Sequence, residues 1–145
     1  MAAMCLAGSP GHGQEDRSYL CAAEKVAGFS WSGQEWVVTD FAAAGERFVV
    51  QPATPPEWIA EIFDYEIRYS VTAEGRSEPE FWCGRATHGG QLSPIIACGG
   101  SGHGFRLNVE TRRFMLNYGL GYLDGRDSND TTPHLTIGSC TVQQE

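Results

Sequence analysis

Apolar residues in this chain recur at every second position, in short runs separated by glycine, proline and polar residues. The clearest run is 104–123, GFRLNVETRRFMLNYGLGYL. Phe105, Leu107 and Val109 alternate with Arg106 and Asn108. Beyond the polar break 110–113, Phe114, Leu116, Tyr118, Leu120 and Tyr122 resume the same period. Successive strand side chains point to opposite faces, so the pattern predicts a β-hairpin with one apolar face, central to an antiparallel sheet. Asn108 opens its turn, because its side chain can bond backbone groups two residues on.

The same reading places a first strand at 19–22 and a hairpin with strands 28–31 and 35–41 around Ser32-Gly33-Gln34. Another strand covers 47–51 and is closed by Pro52. Thr54-Pro55-Pro56-Glu57 has the form of a capping box opening a short helix at Trp58. Against it, Ile59, Phe63, Tyr65, Ile67, Tyr69 and Val71 hold a period of two, and from Phe63 onward the strand pattern prevails. A polar loop follows at 72–79. Segments 81–83 and 92–98 flank a turn carrying Gly84, Gly89 and Gly90, and the loop 124–133 leads to a last strand at 134–142. Eight to ten short strands predict an all-β fold with one domain over 17–142. A single antiparallel barrel is preferred to a β-sandwich, because closing the sheet removes its edges.

At 145 residues the chain suits one domain with a real core. Its formal net charge of −8 argues against nucleic acid and anionic membranes, whose phosphates need Lys and Arg, and fits a cationic protein partner. No apolar run approaches the ~20 residues that cross a bilayer. Residues 1–14 read as a leader remnant or a flexible tail, with Leu6-Ala7-Gly8 as a small-residue processing region.

The cysteines are Cys5, Cys21, Cys83, Cys98 and Cys140. Without Cys5 the count is even, as an oxidising compartment favours. Cys21 on the first strand and Cys140 on the last would staple the ends of the fold; Cys83 and Cys98 flank one glycine-rich turn and form the natural second pair. The rival reading is C-x4-H-x9-C-x4-H, in which Cys83, His88, Cys98 and His103 hold a tetrahedral zinc. In the oxygen-rich loop, Asp124, Asp127 and Asn129 are possible metal ligands. Asp127, Asn129 and Thr131 alternate as calcium-loop ligands do, but Thr132 stands where such a loop wants glycine and Gly138 where it wants a bidentate Glu. A solvated turn with local Asn and Asp hydrogen bonds fits better. Trp31, Trp36, Trp58 and Trp82 are candidate ligand-facing aromatics for a barrel cavity, core packing being the commoner role. No nucleophile elbow, paired-cysteine redox motif or phosphate-cradling loop is present, and no cofactor is implied.

Tyr19-Leu20-Cys21, Gly28-Phe29 with Trp36 and Thr39, Phe105-Arg106-Leu107-Asn108 with Thr111 and Phe114, Gly121-Tyr122, and Ile137-Gly138-Ser139-Cys140 together resemble a group of small bacterial and phage-associated proteins that usually carry an export signal. The resemblance spans 17–142. It implies export and a single domain, and brings no activity with it. A second likeness is to the periplasmic inhibitors of C-type lysozyme, small disulfide-bearing β-barrels. Tyr19 and Cys21 near the start and Cys140 near the end match their plan, with Arg68-Tyr69-Ser70 and Ser101-Gly102 as fragments of the inhibitory loops.

These readings converge on a non-enzymatic binding protein of the periplasm or exterior, a monomer or small homo-oligomer. Its binding surface is expected on the loops 84–90, 99–104 and 124–132. The alternatives are a lysozyme-inhibitor-like envelope protein, or a hydrolase whose site draws on Asp124, Asp127, His88 or His103.

Overall fold

The computed structural model describes residues 17–43 and 45–144; the expected leader and Cys5 lie outside them. Among these residues run nine antiparallel strands: β1 (Ser18–Trp31), β2 (Trp36–Phe41), β3 (Arg47–Pro52), β4 (Tyr69–Ala73), β5 (Phe81–His88), β6 (Gln91–Gly100), β7 (His103–Asn108), β8 (Arg113–Tyr118) and β9 (His134–Gln143). Two single-turn helices, α1 (Glu57–Ala60) and α2 (Leu120–Leu123), and a 3-10 turn at Asn129–Thr131 sit in the connections.

Eight strands close a ring in the order β1-β3-β4-β5-β6-β7-β8-β9, with β9 returning to β1, and β2 extends from β1 outside the ring. The expected barrel is therefore the fold. Alternation drives it: on β7 Phe105 and Leu107 point inward while Arg106 points out, and on β8 Phe114 and Leu116 do the same. The interior is filled by side chains, as an eight-stranded barrel of this kind allows. Phe48 on β3 reaches Phe105 and Phe114 on the far wall, with ring centroids 5.9 Å apart in both cases. Tyr19, Val50, Tyr69, Val71, Phe81 and Ile96 complete the packing.

The two disulfides are formed as paired in the sequence. Cys21 faces Cys140 across the β1–β9 ladder with Cα atoms 4.0 Å apart, and Cys83 faces Cys98 across β5–β6 at 4.2 Å. Both lie well inside the ~7 Å limit for a bridge without backbone movement. All four are buried, so none is free to ligate a metal, and the zinc reading of Cys83, His88, Cys98 and His103 is overturned.

Several elements depart from their expected form. Segments 19–22 and 28–31 belong to one long β1; an irregularity between Ala23 and Lys25 shifts its inward parity from Cys21 and Ala23 to Val26 and Gly28. The periodic stretch from Phe63 is not a strand before Tyr69. It crosses the outside of β5, where the Tyr65 hydroxyl donates to the Trp82 carbonyl at 2.9 Å and its ring lies over Gly84. A Cβ on Gly84 would sit 2.8 Å from Tyr65 Cδ2, so this position needs glycine. α1 starts after Pro56 without a side-chain cap, and the Thr54 capping box does not form. Leu120 and Tyr122 leave the β8 ladder because Gly119 donates to the Gly102 carbonyl at 2.6 Å and the chain turns into α2. Asn108 acts as expected, its side-chain oxygen accepting from the Glu110 and Thr111 amides.

The bridges close loops of different size, with sequence separations of 119 and 15. Chain entropy assigns about 5 kcal/mol to the long one and about 3 kcal/mol to the short one. Urea unfolding is accordingly expected to fall further for Cys21→Ala with Cys140→Ala than for Cys83→Ala with Cys98→Ala. Equal losses would show that the long bridge does not act through barrel closure.

Candidate functional site

β1 is too long for the barrel. Its first half pairs with β3 and its second half with β2, and the tip of this β1–β2 hairpin forms a projecting arm. Trp31 and Trp36 face each other at the tip, ring centroids 5.4 Å apart. Tyr122 from α2 meets Trp36 edge-on at 5.8 Å and 79°. Phe29, Trp36, Tyr122 and Pro133 enclose an apolar groove of about 230 Å³ on the outer face of the arm.

The connection from β8 to β9 props this groove open. Asn129 pairs with the backbone of Trp31 as a strand would: its Oδ1 accepts from the Trp31 amide at 2.7 Å and its Nδ2 donates to the Trp31 carbonyl at 2.8 Å. Asp127 accepts from Trp36 Nε1 at 3.2 Å, which places a carboxylate at the groove wall. α2 is held against the 3-10 turn by the close approach of Gly121 to Thr131, where a Cβ would collide. The segments 31–41 and 119–133 carry five carboxylates (Glu35, Asp40, Asp124, Asp127 and Asp130) and one cation, Arg126, which Asp124 holds at 3.3 Å. This end of the molecule is acidic. At the other end, burial raises the Tyr19 pKa, and Arg85, Arg17 and Arg112 lie close enough to oppose part of that rise.

Comparison with known proteins gives no match: no family model, no curated relative and no solved structure is similar to the chain.

Of the expected site residues, Trp31, Trp36, Asp127 and Asn129 come together here. The bonds of Asp127 and Asn129 run to the arm rather than within their own loop. Trp58 is exposed on α1, and Trp82 lies half-buried on β5 beside Ser70. None of the four tryptophans belongs to the buried core that fills the barrel, so they line no internal cavity. His88 sits at the β5–β6 turn, while His103 lies against Phe81 at the opposite end. With Asp124 on Arg126, Asp127 on Trp36 and Asn129 on Trp31, the proposed metal ligands are engaged separately. Among the described residues no group of three or more His, Cys, Asp or Glu side chains converges as a metal site. Of the three expected loops, 84–90 and 99–104 are largely strand ends and tight turns; only 124–132 reaches the groove. Tyr69 and Ser70 are buried in β4, and Gly102 lies under Leu120 and Leu123 of α2. Phe29, Tyr122 and Pro133 were not singled out as site residues by sequence; Tyr122 reads as strand because its period matches β8.

The barrel mouth beneath the arm holds a row of rings. His103 packs on Phe81 at 4.6 Å and on Tyr118 at 5.2 Å, and Tyr118 stacks on His134 at 5.6 Å. Burial pushes the His103 imidazole below its usual value; Glu80, 3.6 Å away, opposes the shift and His134 adds to it. A depressed histidine pKa means that the unfolded chain takes up the proton first. The stability from neutral His103 is therefore complete above the unfolded value of about 6.5 and is lost as pH falls through the folded value. The drop in urea midpoint on acidification through this window is expected to be smaller in His103→Gln than in the parent protein. An identical drop in both would remove His103 as its source.

Proposed function

We propose that this is an exported, non-enzymatic binding protein that takes a basic side chain of a partner protein into the groove on its arm. The observation that carries the reading is the combination at one spot of three ring walls, Phe29, Trp36 and Tyr122, with the Asp127 carboxylate bonded to Trp36. Aromatic faces attract cations by about 0.5–1 kcal/mol at exposed sites and by more when desolvated. The acidic surroundings raise the local concentration of a basic ligand, and long-range steering speeds its arrival. Two disulfides agree with an oxidising compartment, which supports export. The carboxylates and histidines that a loop-assembled hydrolase would use are engaged elsewhere or sit at opposite ends, which favours binding over turnover.

A tetralysine peptide titrated into isotopically labelled protein tests this directly. The indole N–H signals of Trp31 and Trp36 are expected to shift saturably, and the effect is expected to weaken as salt is added. Trp36→Ala is expected to lower the affinity by roughly fivefold or more, the equivalent of about 1 kcal/mol. Asp127→Asn, which keeps an acceptor for Trp36 Nε1 but removes the charge, is expected to weaken binding and reduce its salt dependence. Equal shifts with tetraglutamate, or none with either peptide, would sink the proposal.

A further inference from the structure

We propose that two copies of this chain pair antiparallel through their β2 strands, with Val38 on the two-fold axis, to form a symmetric dimer with one sheet running across both arms. This goes beyond the groove reading and does not depend on it.

The argument starts from which backbone groups of the arm are already used. Phe29 donates its amide to the Pro133 carbonyl, away from β2, and both backbone groups of Trp31 go to Asn129 on that same side. The alternate residues Gly28 and Ser30 are therefore the ones that bond to β2, through their partners Thr39 and Val37. Trp36 and Val38 stand opposite Trp31 and Phe29, so they turn their amide and carbonyl groups to the other side, and Asp40 follows in the same phase. On that side β2 is the last strand of the sheet, and no described residue pairs with it. The spare edge of β1 is capped by the Asn129 amide, whereas among the described residues nothing covers the edge of β2.

That edge has the composition of a pairing strand. WVVTDF is β-branched and aromatic with one charge, and it lacks the lysine, proline or bulge by which exposed edges are usually blunted. Val38 is 78% exposed and Val37 43%, while Phe29 beside Val38 is 44% exposed. Placing Val38 opposite Val38 of a second copy satisfies the outward groups of Trp36, Val38 and Asp40 on both chains, about six hydrogen bonds in all. Val37 then covers Thr39, and Asp40, the only charge on the strand, lies opposite Trp36. A two-fold axis at Asp40 would set two carboxylates against each other. An axis at Trp36 would run the pairing into the Ser32–Glu35 turn. The identical edge of a second copy matches in length and phase and sets no carboxylate against another within the ladder, and that is why a second copy is the occupant.

Each chain carries a net charge of −8, so the two copies repel at long range and added salt is expected to strengthen the dimer. Binding of a basic peptide in the groove has the opposite salt dependence, so failure of one proposal is distinguishable from failure of the other.

Sedimentation velocity of the full chain, over a wide concentration range at low and high salt, is the test. Cys5→Ser in every sample removes any contribution from an intermolecular disulfide. The expected result is a monomer–dimer equilibrium that shifts toward dimer with salt. Val38→Pro removes an amide that points away from β1 and places proline where an edge strand tolerates it. Val38→Lys sets two cations together at the axis. Each is expected to weaken association at least tenfold, with the unfolding midpoint of the monomer nearly unchanged. Val38→Lys makes the chain less negative, so its loss of association cannot come from overall repulsion. A monomer at every concentration overturns the proposal, as does a dimer that both variants leave intact.

Discussion

The pairing of the first strand with the last holds the fold together. Every other neighbour around the barrel, from β3 to β9, is the next strand in the chain and is reached by a local connection. Only the β1–β9 ladder, running from Ser18 opposite Gln143 to Gly28 opposite His134, joins distant parts of the sequence. Without it the sheet is an open meander with two free edges and an uncovered apolar face. Closing so long a loop costs entropy before any contact rewards it. Cys21–Cys140 lies inside this ladder and removes that cost from the unfolded state. The second bridge, at β5–β6, falls halfway around the ring from the first. The two covalent links thus fix opposite walls of a core whose phenylalanines touch across the barrel.

The arm is a consequence of the same seam. β1 must match the ten-residue β9, yet the β3–β4 pairing ends near Phe48 and Ala73. Beyond that level β1 carries β2 as its own partner. β2 and β3 lie along the same side of β1, interrupted at 42–46, so they behave as one antiparallel partner broken in the middle. What projects is a two-stranded ribbon anchored on one side by β9 and the 119–133 connection. A lone hairpin is marginal in water; this one is stiffened by Asn129, Asp127 and Tyr122.

Much of this was legible in the sequence, and the failures share a cause. Strand alternation reports that a side chain is buried on one face, and it located β3, β7, β9 and the start of β8 to within a residue or two. It does not report which surface buries the residue. Phe63 and Tyr65 keep the period of a strand, yet their tilted rings meet at 5.2 Å outside the barrel, with Tyr65 over the bare backbone of Gly84. Leu120 and Tyr122 keep the period of β8 but sit in a helical turn against the arm. The cysteine pairing was readable because each pair occupies matching places on adjacent strands. The groove was not, because Asp127 and Asn129 bond to residues 91 and 98 positions away, and local spacing carries no trace of such contacts.

The polar residues of the connection explain why an apolar groove stays open at the end of the arm. Left alone, Trp31, Trp36, Phe29 and Tyr122 would bury area fastest by collapsing onto one another. Asn129 prevents this by spending both ends of its amide on the Trp31 backbone, which fixes the strand without occupying the space beside the ring. Asp127 holds the Trp36 indole by its one polar atom, so rotating that ring into the groove would leave its N–H without a partner, a cost of about 1–3 kcal/mol if buried. The 79° angle between Trp36 and Tyr122 is an edge-on geometry that the ring quadrupoles favour, and the two tryptophans meet at a tilt of 58°. The opening is therefore maintained by directional bonds at its margin, and its walls stand in place without an occupant.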